Sequence, residues 1–110
     1  MIEGASSHPV EVTSGGASLS VQNTTLANSN GLFYSRPRSD VSASIETIRE
    51  NSTGYEFGNS YTMDLDPVSI GDRAGFLASA SYGGIDISSG PYDVVLSPVA
   101  FAQLIGAVLL

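Results

Sequence analysis

Cysteine, lysine and tryptophan are absent from this 110-residue chain, and histidine occurs once. Without cysteine there is no disulfide framework, no thiolate zinc site and no cysteine nucleophile. Without lysine, the only cations are Arg36, Arg38, Arg49 and Arg73. Nucleic-acid binding needs cations that displace counterions from phosphates, and docking on an anionic membrane needs a basic face. Neither can be assembled from so few. The net charge of −7 suits neutral or basic partners such as peptides. Only 14% of residues are charged and 42% are apolar, which is not the composition of a disordered chain. The segment Val99 to Leu110 is almost wholly apolar but too short to span a bilayer. Met1 to Pro9 has neither a basic stretch nor an apolar stretch of signal-peptide type, so the expected location is the cytoplasm.

Apolar alternation dominates the first half. Met1 to Pro9 reads as small, polar and loose. Val10 and Val12 flank Glu11, Ser14-Gly15-Gly16 is a turn signal, and Leu19 and Val21 alternate with serines and Gln22. Asn28-Ser29-Asn30-Gly31 reads as a hairpin turn, because an Asn-Gly pair suits the positive φ angles of a type I′ turn. Leu32 to Ser35 begins the return strand and Pro37 interrupts it. Val41, Ala43, Ile45 and Ile48 mark the clearest strand, Asn51 to Gly54 a turn, and Tyr55 to Tyr61 the next strand.

The period changes at Asp66-Pro67, an N-cap followed by proline at the first helical position. Ile70, Ala74 and Leu77 recur at helical spacing, and Tyr82-Gly83-Gly84 closes the segment. Asp93 to Leu96 reads as a strand buried on both faces, and Ser97-Pro98 as the cap of a second helix, apolar all round and therefore buried. The expected fold is α+β: an antiparallel meander with helices over about 67–80 and 98–110 packed on it. All 110 residues read as one domain, truncated from a larger protein, because the last helix ends with the chain before it has a visible partner.

Several segments, in order, resemble the TldD/PmbA family, once described as modulators of DNA gyrase and now regarded as metallopeptidases. They are Asn28-Ser29-Asn30-Gly31, the serine-bearing strand Ser39 to Ile48, Gly54-Tyr55, Ile70-Gly71 with Ala74, and Ser89-Gly90 to Ser97-Pro98. The resemblance covers the chain from about Glu11 onward and points to the family's central segment. The catalytic branch carries His-Glu-x-x-x-His after a strand similar to Val94-Val95-Leu96. Two histidines one helical turn apart can share a zinc ion while the glutamate acts as general base. In that register Gly106 stands at the first histidine and Ala107 at the glutamate. The resemblance therefore implies the PmbA (TldE) branch. It implies a cytoplasmic heterodimer with a zinc-bearing TldD-like partner subunit, peptide hydrolysis by the assembly, and no cofactor in this chain.

No residue is assigned a catalytic, cofactor-binding or metal-ligating role. His8 stands alone in a polar stretch, whereas zinc needs three or four ligands. Asp64-Leu65-Asp66 opens like a calcium loop, but Val68 takes the third oxygen position. Glu46 and Glu50 are scattered acids. Gly83-Gly84 is followed by no Lys-Ser or Lys-Thr, and the serines stand in no Gly-x-Ser-x-Gly elbow. Tyr34, Tyr55, Phe57 and Tyr61 are sheet aromatics that could line a groove for an extended peptide, with Arg36 or Arg38 meeting an acidic group. Two rival readings remain: a non-catalytic module that captures peptide on a sheet edge, and a structural piece of a β-rich surface protein.

Overall fold

The computed structural model describes residues 1–109. Helix α1 (Ile2–Ala5) leads into strands β1 (Glu11–Ala27), β2 (Phe33–Arg49) and β3 (Ser52–Ser60). Helices α2 (Pro67–Ala80) and α3 (Pro98–Leu109) follow. The strands form one antiparallel sheet in the order β1-β2-β3, a meander. The architecture is α+β, as the change of period at Asp66 predicts.

Strand number is where the sequence reading departs from the structure. Ser14-Gly15-Gly16 is no turn, because β1 runs through it with only a register shift between Val12 and Ser14. Pro37 does not break β2 either: it pairs with Asn23. Pairing with β3 begins at Val41, so Pro37 lies where β2 has one neighbour and a missing N–H breaks no second ladder. The Asn-Gly pair does not form a type I′ turn. Gly31 N–H bonds Asn28 O at 3.4 Å, and Gly31 alone takes a positive φ there, 90°. This is a type I turn closed by a left-handed glycine. The Asn28 side chain braces it, accepting from the N–H groups of Asn30 and Leu32 at 3.0 Å.

The core is small and lies at one end. Ala43, Ile45 and Thr47 alternate along the buried face of β2, and Ile70, Ala74 and Ala78 of α2 cover them. Burying Ile45 contributes roughly 2–3 kcal/mol. Helix and sheet approach unusually closely: a Cβ on Gly54 would stand 2.0 Å from Ala74 O. That closeness lets hydroxyls on the sheet reach the helix backbone. Thr47 Oγ1 donates to Ala74 O at 2.9 Å, and Ser52 Oγ to Ala78 O at 2.7 Å. The cap of α2 forms as expected, with Asp66 Oδ1 accepting from Val68 and Ser69 N–H at 3.1 and 3.2 Å.

The N-terminal nine residues, expected to be loose, instead fold over α2. Gly4 and Ala5 are buried, and Gly71 lies so near Met1 O that a Cβ would come within 1.8 Å. The helical spacing of a four-residue turn is too short to read, and its buried residues are only glycine and alanine.

The C-terminal expectations fail in part. Asp93 to Leu96 is not a strand, and Val95 is 99% exposed. A strand buried on both faces needs strands beside it and layers above and below, and the three-stranded sheet supplies neither here. Helix α3 forms with its Ser97 cap, the hydroxyl accepting from Ala100 N–H at 3.3 Å, yet none of its residues is buried. The radius of gyration, 19.4 Å, exceeds the roughly 13 Å of a compact chain of about 100 residues. Beyond Val41, where pairing with β3 begins, β1 and β2 continue as a two-stranded arm, Ser20–Ala27 paired with Phe33–Asp40, about 27 Å long and without a buried residue.

Candidate functional site

Alternation along the paired strands puts Tyr55, Phe57 and Tyr61 on the sheet face opposite α2. The Tyr55 and Phe57 rings lie 6.4 Å apart, tilted by 30°. They wall a shallow depression of about 420 Å³ whose floor is Gly16, Ser18, Ser42 and Ser44. Small residues on β1 and β2 leave the backbone accessible there, and the hydroxyls give it polar character. Arg38 lies on the same face, with its guanidinium 4.6 Å from the Tyr61 ring centroid. Stacking of this kind holds the cation over the sheet. Tyr34 shares the face but lies six residues further along β2 than the position opposite Tyr61, about 20 Å away. The structure therefore brings together Tyr55 with Phe57, and Tyr61 with Arg38, while Tyr34 and Arg36 stand apart on the exposed arm.

A second groove, of about 670 Å³, runs along the outer side of β3, between that strand, α2 and the first turn of α3. Glu56 and Arg73 cross it. Arg73 Nε donates to Glu56 Oε2 at 2.9 Å, and Glu56 Oε1 accepts from Phe57 N–H at 3.1 Å. Sequence reading missed this pair, because strand alternation alone does not reveal that α2 brings an arginine opposite Glu56.

Four further acids serve local structure. Asp64 accepts from the hydroxyls of Ser60 and Thr62, which hold its carboxyl below the usual aspartate range. His8 Nε2 meets Asp72 Oδ1 at 3.0 Å, and Ser7 Oγ donates to the same oxygen at 3.1 Å. The bond to His8 is the larger cause, and Ser7 the next, of the lowered Asp72 pKa. His8 thus ties α1 to α2. Glu46 accepts from Ser14, and Glu50 from the Tyr82 hydroxyl. Among the described residues, no three of His, Cys, Asp or Glu converge on one point. A zinc centre of the hydrolytic kind needs three protein ligands, and one histidine with dispersed carboxylates does not fit it.

The geometry defines a class before it defines a chemistry: an α+β domain with an open sheet and small-residue packing beneath one helix. The particular family follows from comparison. Residues 1–82 match the PmbA/TldA metallopeptidase central domain, and the chain belongs to that family. The match ends just after α2, so residues 83–110 lie beyond it, while α1 lies within it. Neither a curated protein nor a solved structure matches the chain.

Proposed function

We propose that this chain is the framework and subunit-contact domain of a two-component peptidase in which a second, TldD-like subunit holds the zinc. The chain itself is of the PmbA (TldE) type and lends a wall to the space where peptides bind. The observation that carries this reading is the family match over α1, the sheet and α2, combined with a donor set that cannot build a zinc centre. The assembly's location is the cytoplasm, consistent with a chain free of cysteine. Mixing the chain with a zinc-bearing subunit of the family tests it. A stoichiometric complex and chelator-sensitive peptide cleavage that requires the zinc-bearing subunit are the expected result. Tight uptake of one Zn²⁺ by this chain alone, with peptidase activity that chelators abolish, overturns it.

A second reading rests on the Tyr55–Phe57 wall beside the serine floor. Such a surface could hold an extended peptide without cleaving it. Replacing both aromatics with serine, with no change in peptide affinity of the chain, removes that reading.

A further inference from the structure

The two edges of the sheet are finished differently. At the β3 edge, the Phe57 N–H is taken by Glu56, Arg73 holds Glu56 in place, and α2 with the first turn of α3 walls the groove outside. Among the described residues, the β1 edge has no such cover. The bond from Asn28 N–H to Leu32 O, 3.0 Å, sets the alternation of the β1–β2 ladder. Even-numbered residues of β1 then face β2, and the N–H and C=O groups of Gly15, Ala17, Leu19, Val21, Asn23 and Thr25 point outward. Pro37 obeys the same alternation, since odd positions of that part of β2 point away from β1.

Natural sheet edges are blunted by lysine, proline or a misplaced charge. The 17 residues of β1 contain no proline or cation, and the strand's one charge is Glu11, its first residue. From Val12 to Ser35 no charged side chain occurs at all. Leu19 and Val21 lie on the α2 side of the sheet, 58% and 75% exposed. A two-stranded ribbon wet on both faces is marginal in water.

The occupant this edge fits is a second copy of the same strand. Two chains of net charge −7 repel each other, but β1 carries no charge after Glu11, so the two strands meet without opposing like charges. The register is also self-complementary. About a two-fold axis at Leu19, Leu19 faces Leu19 of the second copy, Ala17 faces Val21, and Gly15 faces Asn23. Odd positions meet odd positions, so outward N–H and C=O groups find partners, and apolar side chains share the α2 face. An apolar hollow of about 260 Å³, lined by Met1, Ile2, Val12, Ala17 and Ile45 among others, opens beside Ala17. The Val21 side chain of the second copy falls next to it. We propose that β1 pairs antiparallel with β1 of a second copy about Leu19, making a continuous six-stranded sheet. This is an isologous interface, and it does not depend on the peptidase reading.

Sedimentation equilibrium of the whole chain tests it. The expected mass is twice the 11.4 kDa of one chain. Leu19→Lys and Leu19→Glu each set like charges directly opposite one another and weaken self-association about tenfold or more, while an equimolar mixture of the two recovers it. Leu19→Pro removes one outward N–H without touching the β1–β2 ladder, and weakens association with the strand content by circular dichroism retained. A wild-type chain that is monomeric at micromolar concentration overturns the proposal. So does monomer that associates only with a zinc-bearing subunit or an added extended peptide. A dimer unaffected by the Leu19 variants but lost in Leu104→Lys on α3, or a mixture that fails to recover, overturns it equally.

Discussion

The end covered by α2 and the arm of β1 and β2 are built from the same strand and obey opposite rules. Where α2 sits, β2 carries Ala43, Ile45 and Thr47 inward, and close backbone approach leaves no room at Gly54. Eight or more residues further along the same strand, both faces are wet and Phe33 is 75% exposed. The contrast shows that a strand's stability here belongs to the layer above it, since the hydrogen-bonded ladder continues unchanged into the arm.

Five substitutions separate the two regimes. The largest effect is expected for Gly54→Val, whose side chain would displace the Ala74 carbonyl from the sheet. A loss of about 3 kcal/mol or more in urea unfolding is expected. In contrast, Gly16→Val in β1 meets nothing within 4 Å and changes stability by less than about 1 kcal/mol, in the stabilising direction given valine's preference for strands. A destabilised Gly16→Val chain would break the comparison. Next, Ile45→Ala costs about 2–5 kcal/mol, whereas Leu26→Ala, 56% exposed at the far end of the arm, costs less than about 0.5 kcal/mol. Equal losses at the two sites would mean that the arm is packed after all. Smaller again is Thr47→Val, which removes the bond to Ala74 O and costs about 1 kcal/mol.

The smallest effect is electrostatic and lies on the covered end. The Asp72 carboxyl is held below its ordinary value of 3.8 by His8 and then by Ser7. A carboxyl depressed in the folded chain contributes stability that is full above the ordinary value. That stability is lost as the pH falls through 3.8 toward the folded value. The docking of α1 on α2 therefore weakens in that window. Asp72→Asn flattens this acid limb, and hydrogen exchange of the Ser6 to His8 amides is the measurement. An unchanged acid limb in the variant would detach Asp72 from the docking of α1.

How much was legible varies by segment and for physical reasons. The Asp66-Pro67 start of α2 was readable because a cap is a local interaction, complete within four residues. The face of Tyr55, Phe57 and Tyr61 was readable because alternation has a period of two. Gly15-Gly16 and Pro37 misled because each is a turn or break signal in isolation, and each is carried by a ladder formed with residues distant in sequence. Helix α1 was hidden, since glycine and alanine show no hydrophobic period even when buried. Among the site residues, the Glu56–Arg73 pair and the stack of Arg38 on Tyr61 depend on positions brought together by pairing and packing, which spacing does not encode. Four of the five segments that carried the family resemblance lie within residues 1–82, where the family match falls, and the fifth, Ser89-Gly90 to Ser97-Pro98, lies beyond it.

Local chemistry settled the elements that complete themselves within a few residues: the two helix caps, the glycine-closed turn after Asn28 and the alternating faces of the strands. Neighbours decided everything that needs a second surface. The Asp93–Leu96 run stayed irregular and exposed because no strand among the described residues lies beside it, and Ile45 became core because α2 folds back over it. Burial is a property of pairs of surfaces, and a sequence read residue by residue supplies one surface at a time.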